Sequence, residues 1–262
     1  MELGIADDTA LVAASSSGLG KATAMALARE DANVVVNGRD QDRLADTVAE
    51  LRSIGGGEIE GSQANLTEPD QIEELVEQTV ETFGGLDHLV TNAGGPPSGP
   101  FMDMDDEDWY NSFDLLVMSV VHLIRASAPH LHNGDDGTIT NIASMTVKEA
   151  AEGLVLSNAV RMSVIGLEKT LSRELAPDVR VNAVLPGSHE TSRTEELVTQ
   201  GIERGDYEDY ESGLEERYGD IPLGIGDPIN LGNTVAYLCS DLACNITGVA
   251  LPIDGGASRS NL

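Results

Sequence analysis

The sequence predicts an α/β fold in which a doubly wound parallel sheet carries helices on both faces. Short apolar runs rich in β-branched residues alternate with longer segments of helical period throughout the chain. This alternation is typical of parallel sheets, because a helix usually carries the chain back between neighbouring strands. With 262 residues, 40% of them hydrophobic, and no linker-like stretch, residues 1–262 are expected to form a single domain.

Seven segments are predicted to be strands, because each is apolar, β-branched and bounded by Gly, Pro, Asn or Asp. In chain order they are TALVAA, NVVVN, EIEGSQA, DHLVTNAG, GTITNIAS, VRVNAVLPG and GVALPIDGG. Between them, helices are predicted over residues 18–31, 40–54, 69–83, 105–131, 155–176 and 228–240. The third helix is the clearest, since Pro69 lies in its first turn, its apolar residues share one face and a glycine follows it.

Residues 190–222 depart from this alternation, because they follow a strand, are strongly acidic and carry little apolar stripe. Ligands of open α/β sheets bind at the carboxyl ends of the strands, where such an insertion would cover them. We therefore predict that residues 190–222 form a substrate lid within the single domain. The alternative is a solvated helical excursion with no gating role.

The charge balance is strongly acidic, with 45 acidic and 15 basic residues and a net charge of −30. Such a surface repels nucleic acids and anionic membranes, so neither is expected as a partner. Disorder is not expected, because disordered acidic chains lack regular apolar segments. The composition instead indicates a folded, halophilic-type protein of a salt-rich cytoplasm, where ions screen the self-repulsion.

Three further features bear on the compartment and on metal binding. Cys239 and Cys244 are the only cysteines and lie close together, which argues against a disulfide framework and fits a reducing cytoplasm. No basic-then-apolar leader and no segment of membrane-spanning length is recognised. No metal site is predicted, because no cysteine or carboxylate stands at ligand spacing beside His122, His130 and His132.

A turn of small residues, ASSSGLG, joins the first predicted strand to the first helix. Gly18 and Gly20 let the backbone approach a pyrophosphate, and the helix N-terminus offers it unpaired N–H groups. The position of this turn, after the first strand and before a second strand, predicts a dinucleotide site.

The end of the second strand bears on which dinucleotide binds. An acidic residue there would bond the ribose 2′-hydroxyl of NAD, but Gly38 stands at that position and Arg39 follows it. Arginine pairs well with a 2′-phosphate, so NADP(H) is favoured over NAD(H). The alternative is that Arg39 is a surface residue paired with Asp40 or Asp42.

Five stretches together resemble the short-chain dehydrogenase/reductase family over essentially the whole chain. They are ASSSGLG after the first strand, TNAG after the fourth, NIAS at the fifth, PGSHET after the sixth and ITGVALPIDGG near the end. The chain looks most like the bacterial 3-oxoacyl-carrier-protein reductase-like branch. The resemblance implies a single Rossmann domain with seven parallel strands, a nicotinamide cofactor, a small-molecule carbonyl or alcohol substrate, and a homotetramer or homodimer.

Position by position, the resemblance implies a phosphate turn, an adenine contact, a cleft lining and a nicotinamide contact. In that order the residues are Ser15, Ser16, Ser17, Gly18 and Leu19; Asn65 and Leu66; Asn92, Ala93 and Gly94; and Pro186, Gly187, His189 and Thr191. Ala13 and Ala14 replace the family's Thr-Gly, and Asn65 replaces an aspartate. These changes are expected to weaken binding without preventing it, because alanine is small and an Asn carbonyl still accepts a hydrogen bond.

The catalytic positions depart further from the family pattern. The family uses a serine that polarises the carbonyl, a tyrosine that donates the proton, a lysine four residues later, and an asparagine that anchors a water. Ser144 matches the serine, whereas Ser157, Arg161 and Leu116 stand at the other three positions. Arginine can still bind ribose hydroxyls, but serine is a much poorer proton donor than a tuned phenol.

If the protein reduces a carbonyl, another group has to supply the proton. Lys148 follows Ser144 in the loop before the Ser157 helix, where a partly desolvated lysine would act as an acid or an electrostatic stabiliser. The alternative is a solvated pair with Glu149. Three functions stay open: an NADP(H)-dependent oxidoreductase with a displaced donor, a cofactor-binding sensor or scaffold, and a dehydration or epimerisation on the same frame. Acyl chains, sugars and small ketones all remain possible substrates.

Removal of salt is expected to destabilise the protein. At a net charge of −30 the carboxylates repel one another over the Debye length, which grows from about 3 Å at 1 M salt to about 30 Å at 0.01 M. The melting temperature, followed by circular dichroism, should therefore rise steadily from dilute buffer to molar KCl. A melting temperature that stays level over this range would contradict the halophilic interpretation.

Overall fold

The computed structural model describes residues 2–131 and 136–260, in which seven parallel strands form one sheet. The strands lie in the order β3-β2-β1-β4-β5-β6-β7. Their bounds are Thr9–Val12 (β1), Asn33–Gly38 (β2), Ile59–Gln63 (β3), His88–Thr91 (β4), Gly137–Ile142 (β5), Val179–Pro186 (β6) and Ala250–Ile253 (β7). The predicted doubly wound, seven-stranded α/β fold is confirmed. His132 lies outside the described residues.

All six predicted helices are present, and two more helices form within residues 190–222. The α-helices are Gly18–Arg29 (α1), Gln41–Leu51 (α2), Pro69–Phe83 (α3), Asp106–Phe113 (α4), Ser119–Leu131 (α5), Val155–Val160 (α6), Met162–Glu174 (α7), Ser192–Arg204 (α8), Tyr210–Tyr218 (α9) and Pro228–Cys239 (α10).

Two predicted helices differ from a single regular α-helix. A π-helical segment, Asp114–Met118, separates α4 from α5 within the predicted helix 105–131. The predicted helix 155–176 is divided at Arg161, where the N–H of Val164 bonds the carbonyl of Arg161 three residues earlier. The spacing of apolar residues does not reveal either change. Each one alters the backbone hydrogen bonding, while the buried residues keep their helical spacing.

The strands are buried on both faces because helices cover both sides of the sheet. Ala10 and Val12 of β1 belong to the core beneath α1, α2 and α10, whereas Leu11 points to the core beneath α3, α5 and α7. The helix over Asp106–Leu131 is long and apolar enough to cross a membrane by length and composition alone. Its Leu116 and Leu123 pack in the second core, as in the core helix of a soluble protein.

The sheet order reverses between β1 and β4, which are neighbours although two strands and three helices separate them in sequence. The connections from β1 and from β4 therefore leave in opposite directions and open a crevice at the carboxyl ends of the strands. The turn into α1 and the segment after β4 both border this crevice.

Helix α10 packs closely on α1 and is held at its far end by a buried cation. A Cβ at Gly232 of α10 would lie 2.4 Å from the carbonyl oxygen of Ala22, so only glycine allows this approach. Arg180 on β6 is buried, and its guanidinium donates to the carbonyls of Leu238, Cys239 and Ser240. These carbonyls lie at the partially negative end of α10, where a cation is favourable.

Glu168 is an acidic side chain that α7 buries almost completely, at 1% exposure. Its Oε1 has no hydrogen-bond partner among the described residues. Burial raises the pKa of Glu168 to about 7, and the neighbouring Lys169 lowers it only partly. The carboxyl is therefore protonated in the folded state at pH values where it ionises in the unfolded chain.

This burial predicts a pH-dependent stability. Between pH 4.5 and 7 the folded state keeps the Glu168 proton and the unfolded state loses it, so the stability that this group contributes falls as pH rises. Glu168→Gln should therefore stabilise the protein increasingly over this range, by up to about 3 kcal/mol above pH 7. The measurement is urea unfolding at fixed salt.

Glu174→Gln, an exposed substitution on the same helix, is the control for the loss of one negative charge. Equal effects of the two substitutions at pH 5 and pH 8 would contradict the burial argument.

Candidate active site at the carboxyl edge of the sheet

The turn between β1 and α1 is shaped by two glycines and one strained alanine. Gly18 has a φ of +57°, in the left-handed region that favours glycine. A Cβ at Gly20 would lie 2.5 Å from the carbonyl oxygen of Ala14, so the helix can approach the turn only with glycine there. Ala14 itself has a φ of +46°, which costs an L-residue about 1–2 kcal/mol.

Two asparagines, one on β2 and one directly after β4, bond the peptide groups on either side of Ala14. The side chain of Asn37 accepts from the Ala14 N–H at 3.0 Å, and Asn92 donates to the Ala14 carbonyl at 3.1 Å. The Ser15 hydroxyl donates to the Val12 carbonyl at 2.6 Å and accepts from the Asn37 N–H at 3.0 Å. Ser15 is fully buried, so its side chain supports the turn, whereas Ser16 is half-buried and Ser17 is exposed.

A cleft of about 560 Å³ runs along this turn to the first residues of α8. Its lining includes Ser16, Ser17, Gly18, Lys21, Arg43 and Thr191. Ser17 precedes α1 without a side-chain cap, which leaves the first N–H groups of the helix open to the cleft. Lys21 and Arg43 were not identified from the sequence, because a helical lysine and arginine have no motif that distinguishes them from surface charges.

At the end of β2 the structure leaves no room for an acidic side chain in place of Gly38. A Cβ there would lie 2.5 Å from the Ser16 hydroxyl oxygen. Arg39 is exposed and forms no salt bridge among the described residues. Asp40 instead caps α2 and lies 4.0 Å from Arg43, so the alternative pairing of Arg39 with Asp40 is not found there.

The adenine contact predicted at Asn65 and Leu66 follows β3. Leu66 is buried in the core, and Asn65 is half-buried. The side-chain oxygen Oδ1 of Asn65 accepts from the Thr67 N–H at 3.3 Å, which leaves one of its two lone pairs available. After β4, Ala93 is half-buried, whereas Gly94 is exposed and a Cβ added to it would have no neighbouring atom within 4 Å.

The segment after β6 is fixed mainly through its backbone. Gly187 lies against Asp254, since a Cβ there would be 2.8 Å from the Asp254 Cα. His189 is buried, its carbonyl accepts from the Thr194 hydroxyl, and burial lowers the pKa of its ring. Pro186 ends β6, and Thr191 precedes α8 at the rim of the cleft.

A small hydroxyl cluster occupies the predicted catalytic position. The Ser144 oxygen accepts from the Thr146 N–H at 3.2 Å, and the hydroxyls of Thr146 and Ser157 are 3.1 Å apart. Ser144 is half-buried and Ser157 is buried. The structure thus brings Ser144 and Ser157 together through Thr146, which sequence reasoning missed because a threonine in a loop carries no distinguishing pattern.

Arg161 extends its guanidinium to the end of β5, beside this cluster. Its Nη1 donates to the Ala143 carbonyl at 3.1 Å, and its buried Nε has no acceptor among the described residues. Burial, and to a smaller extent the charge of Arg193, lowers the pKa of Arg161 to about 10. The side chain therefore stays protonated at neutral pH in a largely dehydrated position.

The remaining predicted catalytic positions lie at the edge of the cluster. Lys148 is exposed at the end of a short 3₁₀ turn, Met145–Val147, and forms no salt bridge within the described part of the chain. Glu149 accepts from the backbone N–H of Arg259 at 2.9 Å, so it ties down the C-terminal segment. Leu116 is buried within the π-helical segment and offers no polar group there.

Within residues 2–131 and 136–260, no group of three or more His, Cys, Asp or Glu side chains is arranged to hold a metal ion. The polar side chains that meet at the end of β5 are hydroxyls and a guanidinium group.

Comparison with known proteins agrees with this architecture. Residues 13–258 match the family profile described as enoyl-(acyl carrier protein) reductase. The 3-oxoacyl-(acyl-carrier-protein) reductase FabG of Thermotoga maritima is 32% identical over 248 residues, which cover 94% of this chain and 96% of that protein.

Two solved structures share the fold over nearly the full length of both chains. One is the L-sorbose reductase of Gluconobacter frateurii complexed with NADPH and L-sorbose, with a TM-score of 0.93, 28% identity, and coverage of 99% of this chain and 100% of that one. The other is an NADPH-bound short chain oxidoreductase of Pseudomonas aeruginosa PAO1 containing an atypical catalytic center, with a TM-score of 0.89, 29% identity, and coverage of 98% and 99%.

The chain belongs to the short-chain dehydrogenase/reductase family, a family of oxidoreductases. Its similarity extends to reductases of the 3-oxoacyl-carrier-protein type.

Proposed function

We propose that the protein is an NADP(H)-dependent oxidoreductase that interconverts a carbonyl and a secondary alcohol, with Ser157 and Arg161 in place of the family's tyrosine and lysine. The observation that carries the proposal is the convergence of Ser144, Ser157 and a protonated Arg161 at the end of β5. These side chains lie at the same carboxyl edge of the sheet as the phosphate turn, in which Gly18 and Gly20 have no side chain to cover the backbone.

The residues of the cleft fit a dinucleotide. Gly18 adopts the left-handed conformation of a phosphate turn, and Ser17 leaves the N-terminus of α1 uncapped. The N–H groups at this turn would hold the pyrophosphate, Asn65 the adenine, and Thr191 with the backbone around His189 the nicotinamide end. When bound, the nicotinamide supplies or accepts the hydride.

The preference for NADP(H) is supported at the end of β2. Arg39 is exposed and free of salt bridges in the described chain, Arg43 lines the cleft along the phosphate turn, and Gly38 replaces the acid that would favour NAD. The Gluconobacter and Pseudomonas structures were both determined with NADPH.

In the proposed reaction the Ser144 hydroxyl donates a hydrogen bond to the substrate carbonyl and so polarises it. Arg161 keeps a positive charge beside the reacting oxygen and binds ribose hydroxyls with the donors that Ala143 does not use. Ser157 hydrogen-bonds Thr146 and, as an ordinary hydroxyl, is a poor acid. We therefore assign donation of the proton to Lys148, two residues after Thr146. The Pseudomonas oxidoreductase, which also contains an atypical catalytic center, supports an altered active site on this fold.

A cofactor-binding sensor or scaffold with little turnover is the second candidate. It is favoured by the same substitutions, because Ser157 and Leu116 remove the family's proton donor and the polar anchor of its water.

In either case we propose a cytoplasmic, halophilic-type protein that assembles as a homotetramer or homodimer. Residues 190–222, as α8 and α9, are proposed to act as the lid.

The cofactor assignment predicts the effect of one substitution. Arg39→Ala should reduce the ratio of NADPH to NADH affinity by roughly tenfold or more, because a hydrogen bond to a charged group contributes about 1.5–3 kcal/mol. Both dissociation constants are to be measured by titration calorimetry in molar KCl.

Arg29→Ala is the control. It removes one positive charge at the C-terminal end of α1, away from the phosphate turn, and should leave the ratio of NADPH to NADH affinity unaltered. If Arg39→Ala also leaves the ratio unaltered, the NADP(H) assignment is wrong.

The catalytic assignment is tested by turnover of a ketone panel with NADPH in molar KCl. If the protein is an enzyme with a displaced donor, Ser144→Ala and Lys148→Ala should each lower kcat by at least about 100-fold, since positioned acid catalysis contributes that much. NADPH binding should be retained in both variants.

The double substitution Ser157→Tyr with Arg161→Lys separates the two candidates. A wild type that binds NADPH but turns over no ketone, together with a double variant that gains turnover, would overturn the enzyme proposal in favour of the binding protein. Retained activity in Lys148→Ala would overturn the role of that lysine.

A further inference from the structure

Arg193, a residue of α8, contacts the segment after β4. Its Nη2 donates to the Pro96 carbonyl at 2.8 Å. A Cβ at Gly95 would lie 2.7 Å from the Arg193 Nε, so the guanidinium lies directly over this glycine. Arg193 is half-buried and connects the proposed lid to the wall of the cleft.

The segment that Arg193 covers is attached to the helix that carries Ser157. The Gly99 N–H bonds the Gly153 carbonyl at 2.7 Å, and Gly99 forms a parallel bridge with Leu154, the residue before α6. The underlying strands β4 and β5 are hydrogen-bonded neighbours. Arg193, from α8, and Arg161, from the end of α6, therefore both lie at the carboxyl edge of the neighbouring strands β4 and β5.

Only one of these two cations has an ionic partner in the described chain. Arg161 forms no salt bridge in the described chain, and its buried Nε is without an acceptor. The ionic partner of Arg193 is Glu196 at 2.9 Å, whose side chain is 51% exposed on the same helix. The charge of Arg193 also lowers the pKa of Arg161, because two like charges repel each other.

Two like charges in a partly dehydrated cleft are unusual in a chain with three acidic residues for each basic one. Acids are plentiful in the sequence, yet Arg161 has no ionic partner among the described residues. A bound anion would offset the repulsion between the two guanidinium groups. The pyrophosphate of a dinucleotide is not that anion, because it has its own turn at the N-terminus of α1.

We propose that Arg193, reinforced by the positive charge of Arg161, forms a subsite for the carboxylate of the substrate, so that the protein acts on oxo acids and hydroxy acids. The planar guanidinium matches a carboxylate through two parallel N–H donors. In reduction, the carbonyl carbon gains the hydride, the carbonyl oxygen gains a proton, and the carboxylate stays bound and unchanged. This inference rests on the proposed oxidoreductase function.

The test compares α-, β- and γ-oxo carboxylates with their methyl esters, which keep the ketone and remove the charge. With NADPH at a fixed molar KCl concentration, kcat/KM for the best acid should exceed that for its ester by at least about tenfold. Arg193→Gln should bring this ratio close to one, mainly through a higher KM for the acid. Arg193→Lys should retain part of the preference, since the positive charge remains.

Arg204→Gln is the matched control, because Arg204 lies on the same helix, is exposed, and pairs with Asp206 away from the cleft. It should leave the acid-to-ester ratio unaltered. Equal kcat/KM for acids and esters in the wild type, or an acid preference that survives in Arg193→Gln, would overturn the carboxylate subsite and leave the oxidoreductase proposal intact.

A binding measurement separates failure of the inference from failure of the proposed function. The thermal shift produced by each oxo acid, its ester and inorganic phosphate is measured on the wild type and on Arg193→Gln. An Arg193-dependent shift with the acid alone, without turnover of any ketone, would support the subsite and overturn the oxidoreductase. An equal shift with phosphate, or none with any acid, would overturn the carboxylate assignment.

Discussion

The hydrogen bonds at Ala14 are the constraint on which the rest of the site depends. Asn37 at the end of β2 and Asn92 after β4 hold its N–H and its carbonyl. The carboxyl ends of three neighbouring strands are thereby fixed to one turn, and that turn sets where α1 begins. The left-handed backbone of Ala14 costs free energy, and these two bonds, together with the buried Ser15 hydroxyl, offset it.

The fold and the cofactor edge were predictable from the sequence because they rest on local signals. Strands and helices follow from the period of apolar residues, and the phosphate turn follows from small residues between a strand and a helix. The division of a helix at Arg161 and the π-helical segment at Leu116 were not predictable, since both change backbone bonding under an unaltered apolar stripe. Thr146 and Arg193 were missed for a different reason: each gains its meaning only from a partner brought close by the fold.

The active-site region combines weak acids with strong cations. Ser144, Thr146 and Ser157 offer hydroxyls that hardly ionise near neutrality, while Arg161 hardly loses its proton even after burial has lowered its pKa to about 10. Such a set is well suited to hold and polarise a ligand and poorly suited to transfer a proton by itself. The arrangement explains why substrate binding and proton supply are assigned to different residues of one cleft.

The buried Arg180 has an effect far from its own position. It fixes the last carbonyls of α10 at the amino edge of the sheet, and α10 touches α1 so closely that only Gly232 fits at the contact. The two packed helices therefore connect Arg180 at the amino edge of the sheet to the phosphate turn at its carboxyl edge. We therefore expect the contact between α10 and α1, and through it Arg180, to help position the turn at which α1 begins.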